Sequence, residues 1–185
     1  WPQLKQVDLS HNQISDLAPL SKSKQINQLN LSHNQIADLS SFSNWPQLKQ
    51  VDLSHNQISD LAPFSKSNQI NQLNLSHNQI ADLSVLSQLK SLQNLDLAHN
   101  QISFENLKSI TSLNNLSELR LGHNQIQNLP PLASKTGRSI SGLTRLRLLE
   151  LQGNQISHLN ILTGAVQKLN DVRQLSRLAP VIFLT

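Results

Sequence analysis

The sequence predicts a solenoid built from short parallel strands, and three observations lead to that prediction. The phrase His-Asn-Gln-Ile occurs six times, and a related Gly-Asn-Gln-Ile ends the series. Residues 1–44 and 45–88 are identical at 39 of 44 positions. The asparagines of the phrase are spaced by 22, 22, 22, 22, 24 and 30 residues. A nearly fixed period of this length indicates stacked units that bury their apolar faces only against their neighbours.

Each unit, or coil, begins with a short predicted strand. The pattern Leu-x-x-Leu-x-Leu precedes each repeated asparagine, with one Val or Ile allowed, as in Leu92, Leu95 and Leu97. The alternation around Asp96 has the two-residue period of a strand that turns one side inward. Beyond the asparagine, apolar residues recur at three-residue steps, which suit 3₁₀ segments better than a long α-helix. Each coil is therefore expected to contain one strand, one turn and a loose return segment.

The phrase Leu-Ser-His-Asn-Gln-Ile-Ser-Asp-Leu-Ala-Pro-Leu at residues 9–20 resembles the 22-residue class of leucine-rich repeats found in bacterial internalins. Seven such units occupy residues 1–162. The resemblance implies an α/β, right-handed solenoid with a concave parallel β-sheet and loop or 3₁₀ segments on its convex side. It also implies a bacterial protein-interaction scaffold, whose partner is decided by surface residues and not by the fold.

The repeated asparagines are expected to be structural. An Asn amide carries donors and an acceptor, so it can satisfy backbone groups of its own turn and of the next coil that would otherwise be buried without partners. This predicted ladder consists of Asn12, Asn34, Asn56, Asn78, Asn100, Asn124 and Asn154.

The predicted binding surface lies on the outward side of the strands, where alternation places every second side chain. The first five coils carry small or amide side chains there, and variety begins at coils six and seven. The residues predicted to contact a partner are Asp52, Asn74, Asp96, Glu118, Arg120, Leu148 and Glu150. A further outward column is predicted to contain Ser10, Ser32, Ser54, Ser76, Ala98, Gly122 and Gln152. The alternative is that the uniform coils only set the length and curvature of the array.

Six histidines precede the ladder asparagines directly, and their imidazoles are expected to form a row because adjacent strands are about 4.8 Å apart. Such a row could bind a metal or respond to acid. Repetition of one phrase, without thiolates or carboxylate triads, instead favours a polar residue at a turn and no metal site. These residues are His11, His33, His55, His77, His99 and His123.

Trp45 stands where neighbouring coils have Ser23 and Ser67. A large side chain between two small ones predicts that adjacent coils interdigitate in the core. The alternative is an exposed aromatic binding site. Either role would help to explain the 44-residue period that overlies the shorter one.

Two segments interrupt the repeat. Residues 133–142 form a small, polar and basic insertion that predicts a surface loop and a candidate partner contact. Phosphate capture by Lys135 and Arg138 is disfavoured because the glycines lack P-loop spacing. Helical spacing then predicts a helix at 165–178, followed by strand-like spacing. Residues 163–185 are therefore expected to form a C-terminal helix and terminal strand that either cap or continue the solenoid.

Composition excludes several classes of protein. The chain has no cysteine, and no apolar run approaches the roughly 18 residues that span a bilayer. Aromatic residues make up 3% of the chain and no continuous basic stripe occurs, which argues against nucleic-acid binding. Hydroxyls and histidines repeat periodically rather than converging on one pocket, so we expect no enzyme, catalytic residue or cofactor.

We therefore expect a monomeric module that binds another protein on its concave sheet. One alternative is a structural or consensus-like array with no dedicated ligand. Another is a fragment of a larger enzyme or surface protein whose activity lies elsewhere. The chain has no methionine, even at position 1, and no segment resembling a signal peptide, so we expect a piece of a longer protein or a processed product. Bacterial cytoplasm and cell surface both stay open.

Overall fold

The computed structural model describes residues 3–127, 143 and 145–157. Within these residues, seven strands of three residues each form one parallel sheet in chain order. Each residue pairs with its equivalent in the next coil, so that Val7 is opposite Leu29 and Leu119 is opposite Leu149. The strands are β1 (Gln6–Asp8), β2 (Gln28–Asn30), β3 (Gln50–Asp52), β4 (Gln72–Asn74), β5 (Asn94–Asp96), β6 (Glu118–Arg120) and β7 (Leu148–Glu150). The predicted solenoid is confirmed.

The return segments are 3₁₀ helices, as the three-residue steps predicted. The described ones are η1 (Ala18–Leu20), η2 (Ser40–Asn44), η3 (Ala62–Lys66), η4 (Ser84–Gln88) and η5 (Phe104–Ile110). An aspartate begins the first four of these turns; in η3, for example, the Asp60 Oδ1 accepts the Ala62 N–H at 2.8 Å. The longer η5 begins with a reciprocal cap between Ser103 and Asn106, where coil five has gained two residues.

The core is a continuous stack of leucine and isoleucine side chains with one tryptophan in it. Trp45 is fully buried, and its Nε1 donates to the Leu20 carbonyl oxygen of the preceding coil at 3.3 Å. Its ring meets Phe42 edge-on, with centroids 5.1 Å apart. Ser23 and Ser67 are buried in the adjacent coils. Core packing of Trp45 is therefore confirmed, and the exposed aromatic site is wrong.

Several predictions fall outside the described residues: the insertion at 133–142, the helix at 165–178, and the choice between cap and continuation for 163–185. Among the helices that the structure describes, none combines the length and apolar character needed to cross a membrane.

Candidate functional site

The outward side of β1–β7, called the strand face below, is concave. A groove of about 680 Å³ runs across it from β1 to β6. The predicted partner-binding residues all lie on this face, at the first or last position of their strands. Four of them line the groove: Asp52, Asn74, Asp96 and Arg120. The other three lie beside its far end in β6 and β7: Glu118, Leu148 and Glu150.

The last residue of the first five strands also closes a turn, which the sequence analysis missed. The Asp52 Oδ1 accepts the backbone N–H of Ser54 at 2.9 Å and its hydroxyl at 2.7 Å. Asn74 accepts both groups of Ser76 in the same way. Asp and Asn are the residues whose side chains form such turns, so their restriction to this position in coils one to five was an available signal. The equivalent turns are formed by Asp8, Asn30 and Asp96.

These turns correct the third outward column. Ser32, Ser54 and Ser76 are only 7%, 6% and 8% exposed. The chain leaves the sheet after three residues, and the turn packs each serine back against the side chain that ends the strand. Two-residue alternation does not continue beyond the strand, so these serines are not available for a partner. Gly122 is buried as well. The strand face therefore consists mainly of two columns, the first and the last residues of the seven strands, while Ser10, Ala98 and Gln152 of the further column stay half exposed.

The charged side chains of the strand face have different surroundings along the sheet. Arg120 lies between two carboxylates, with its Nη2 3.2 Å from Glu118 Oε2 and its Nε 3.5 Å from Glu150 Oε2. These three side chains are each about one third exposed. At the other end, the N–H of Ser10 holds the pKa of the Asp8 carboxyl below its ordinary value. Burial raises the pKa of the Asp96 carboxyl.

Six of the seven ladder asparagines form hydrogen bonds both within their own turn and to a neighbouring coil. The Asn34 Nδ2 donates to the carbonyl oxygens of Leu31 and Ser32 in its own turn, at 3.1 and 3.2 Å. It also donates to the Leu9 carbonyl oxygen at 2.9 Å, and its Oδ1 accepts the Ile14 N–H at 2.9 Å. The neighbouring coil that each Asn joins is thus the preceding one in the chain. Bonds to the preceding coil recur at Asn56, Asn78, Asn100, Asn124 and Asn154.

Asn12 is the exception within the ladder. It is exposed, and its Nδ2 donates to Leu9 and Ser10 of its own turn at 3.1 and 3.0 Å. The other ladder residues each donate to the preceding coil. The structure describes no coil that precedes the one of Asn12. A single Asn therefore secures its own turn, and the repeat converts it into a connection between coils.

The six histidines form the predicted row and stack face to face. Centroids of successive rings are 3.9–4.2 Å apart, with interplanar angles of 12–13°. All six residues have positive φ angles of 54–55°. In coil seven the same position is Gly153, with φ 70°. A Cβ there would press against the His123 imidazole. Glycine at this position was the signal of a left-handed turn, which the sequence analysis missed.

A family profile described as leucine-rich repeats (2 copies) matches residues 2–44, 24–66, 46–88, 68–111 and 90–134. The chain belongs to the leucine-rich-repeat family. Proteins of this family are generally protein-interaction modules. A comparison with curated protein sequences gives no significant match.

Solved structures of leucine-rich-repeat proteins share the architecture. The chain is similar to internalin C2 of Listeria monocytogenes, with 31% sequence identity and a TM-score of 0.77 over 88% of this chain and 67% of that one. For the internalin inlF of the same organism the identity is 28% and the TM-score 0.72, over 96% of this chain and 46% of that one. The structure of a TLR13–ssRNA13 complex gives 30% and 0.73, over 91% and 24%. The chain thus spans less than half the length of two of these three proteins.

The leucine-rich repeats bring the six histidines together in one row. Within residues 3–127, 143 and 145–157, no group of three or more His, Asp or Glu side chains is arranged to hold a metal ion. Burial and then the neighbouring imidazole of His33 lower the pKa of His55. The pKa values of His77 and His99 are lowered in the same way, by burial first and by adjacent histidines second.

Proposed function

We propose that this leucine-rich-repeat array binds another protein on the strand face, in a footprint from β3 to β7. The observation that carries the proposal is the groove across six parallel strands, whose outward residues are half exposed while the leucines and isoleucines are used in the core. Solenoids use extended concave surfaces of this kind for binding.

The residues at β6 and β7 suit the centre of such a contact. Arg120 is held in one orientation by its two carboxylates, so less side-chain entropy is lost when a partner binds. Leu148 adds a partly exposed apolar side chain directly beside Glu118 in the sheet. Arginine and apolar anchors surrounded by polar groups are typical of interface centres. In contrast, the outward Asp and Asn of the first five coils already have a role in their turns.

We also propose that the described array has no catalytic or nucleic-acid-binding role. Its histidines stack on one another, and each strand-face carboxylate accepts hydrogen bonds in its turn or pairs with Arg120. The two columns of the face carry five carboxylates and one arginine, a balance that repels a phosphate backbone. The carboxylates are Asp8, Asp52, Asp96, Glu118 and Glu150.

Selection from a displayed protein library tests the proposed function. Independent binders would be selected on the full chain and then measured against the double variant Arg120→Glu/Leu148→Asp. The matched control is Lys108→Glu/Val85→Asp, which makes the same kind of changes in the 3₁₀ segments. We expect most binders to lose at least tenfold in affinity with the first variant and to keep their affinity for the control. Binders that respond only to the control would overturn the proposal, and failure to select any binder would favour an array without a dedicated ligand.

A further inference from the structure

We infer that the partner extends beyond this footprint over β1–β5, where it presents a cationic polyproline II segment with a basic side chain at every third residue. The inference rests on the proposed function and adds to it the chemistry and spacing of the partner.

The spacing of the strand-face carboxylates carries the inference. Asp8, Asp52 and Asp96 end β1, β3 and β5, and asparagines end the two strands between them. The strands pair in register. Since adjacent strands are about 4.8 Å apart, these carboxylates repeat about every 9.6 Å. A polyproline II helix has three residues per turn and rises about 3.1 Å per residue, so side chains on one side repeat about every 9.3 Å.

Other backbone conformations fit this repeat less well. Side chains on one side of an extended strand recur about every 6.7 Å, which falls out of phase after one step. An α-helix rises about 1.5 Å per residue and is about 10 Å wide with its side chains. Its seven-residue repeat of about 10.5 Å departs further from the carboxylate spacing than the polyproline II repeat does. A polyproline II segment is narrower and already extended.

Each carboxylate has an oxygen that is not taken by its turn. The hydrogen bonds from residues 10, 54 and 98 reach Oδ1 of Asp8, Asp52 and Asp96. The Oδ2 of Asp52 accepts one amide hydrogen bond, from Asn74 at 3.1 Å. The ion pairs of the described strand face are those of Arg120, which is occupied by Glu118 and Glu150. No described Lys or Arg side chain forms an ion pair within 4.0 Å of these three carboxylates, although Arg120 in the next strand attracts the Asp96 carboxyl.

Charge complementarity selects a basic partner. The chain as a whole has a net charge of +4, but the two strand-face columns of the first five coils contain three aspartates and no lysine or arginine. A face of one sign attracts a segment of the opposite sign and rejects acidic ones. The sign of the charge on the strand face changes at Arg120 in β6. The acidic stretch that complements a basic partner therefore contains three carboxylates over about 19 Å, which corresponds to about six residues of polyproline II.

A fluorescently labelled peptide with the repeat Pro-Pro-Lys, four times over, tests the inference by anisotropy with the full chain. The comparison peptide has the same composition with its four lysines in one block. We expect the spaced peptide to bind about tenfold more tightly than the block peptide, and its binding to weaken as salt is raised.

The variant Asp8→Asn/Asp52→Asn/Asp96→Asn is expected to reduce binding of the spaced peptide about tenfold. The turns will survive, because Asn30 and Asn74 already form them, each accepting a serine N–H at 3.1 Å. The matched control removes three charges from turns that begin 3₁₀ segments, through Asp16→Asn/Asp60→Asn/Asp82→Asn. This control should keep the affinity of the original chain.

Equal binding of the two peptides, or equal losses in the two variants, would mean attraction by overall charge and would overturn the inference. Undiminished binding by the strand-face variant would also overturn it. If the spaced peptide does not bind but the selected proteins still require Arg120 and Leu148, the partner chemistry is wrong and the proposed function stands. If those proteins bind the opposite side, the proposed function itself is wrong.

Discussion

Coils one to four and coils six and seven share one backbone but present different outward residues. In the first group, an Asp or Asn ends each strand and a serine closes its turn. In coils six and seven the strands end with Arg120 and Glu150, and Gly122 and Gln152 take the serine position. The pairing of β6 with β7 nevertheless has the same register as that of β1 with β2. Inward leucines and the Asn ladder are therefore sufficient to fix the coils, and the outward positions are free to vary.

The two regions also differ in how many repeated interactions they retain. The uniform coils have the ladder, the histidine stack and the strand-end turns. Coil seven keeps the ladder through Asn154, whose Nδ2 donates to Leu121 and Leu151 at 2.8 Å. Its glycine ends the histidine stack. The histidine stack and the strand-end turns are therefore additional to the interactions that form the coil.

The largest expected effect lies in the uniform region. Trp45→Ala should lower the free energy of unfolding by about 3–5 kcal/mol, since it leaves a cavity between two coils and removes the hydrogen bond to Leu20. Trp45→Leu should cost less, because Leu89 occupies the equivalent place in a later coil. Urea denaturation followed by far-ultraviolet circular dichroism measures both. A smaller loss for Trp45→Ala than for Trp45→Leu would contradict the packing role.

The next effect separates an internal coil from the first. Asn56→Ala should destabilise the protein by about 1–3 kcal/mol, because it strands backbone groups of two coils, among them the Leu31 carbonyl and the Ile36 N–H. Asn12→Ala should cost clearly less, since Asn12 is exposed and bonds only its own turn in the described structure. The same denaturation experiment compares them. Equal losses would show that the bonds between coils add little.

Substitutions of Gly153, which occupies the histidine position of coil seven, sharpen the comparison. Gly153→Ala should cost about 1–2 kcal/mol, because the left-handed backbone is strained by a Cβ that also presses on His123. Gly153→His carries the same Cβ but extends the stack by one ring, so its loss should be smaller. Thermal melting of the two variants ranks them, and a larger loss for the histidine would mean that stacking does not stabilise this turn.

Acid should weaken the uniform coils through their histidines. The folded-state pKa values of His55, His77 and His99 lie below the ordinary value, so the unfolded chain binds protons more readily. Stability is then complete above a pH of about 6.5 and falls as the pH is lowered towards the folded-state values. The melting temperature should fall between pH 7.5 and 5.5. Burial raises the pKa of the Asp96 carboxyl, so the titration of this group acts in the opposite direction.

The matched variant for this experiment is His55→Asn/His77→Asn/His99→Asn. Asparagine tolerates a positive φ angle and does not titrate, so the melting temperature of the variant should depend less on pH over the same range. An equal pH dependence in both proteins would exclude the stack as its cause.

The smallest effect is expected at the variable end. Arg120→Ala should change stability by less than about 1 kcal/mol, because its ion pairs are one third exposed and screened by water. The same variant should clearly weaken binders that use the strand face. A large loss of stability would mean that Arg120 holds β6 and β7 together and is not free to serve recognition.

Much of the fold could be predicted from the sequence because inward positions are constrained by their neighbours. Leu95 and Leu97 bracket one outward residue, and Asn100 must satisfy the backbone at the bend, so spacing alone assigns the strand and the turn. The serine column could not be assigned by alternation, since the strand stops after three residues and Asp52 draws Ser54 inward. The positive φ of the histidines was not predicted, although histidine adopts this conformation more often than most non-glycine residues.

The proposed binding site is harder to predict for a related reason. Arg120, Leu148 and Glu150 make few contacts that the fold requires, so no rule of the repeat assigns their identity. Their departure from the repeated phrase marks where the face changes but does not specify what it contacts.

The 44-residue block also gives the array a way to change its length in fixed increments. A third copy inserted between residues 44 and 45 would meet a sequence almost identical to the one it displaces, so each new side chain would find its usual neighbours. The groove would lengthen by two strand spacings, about 9.6 Å, and the inserted coils would need no new type of contact. Duplication of this segment in the gene would therefore lengthen the protein in steps of two coils.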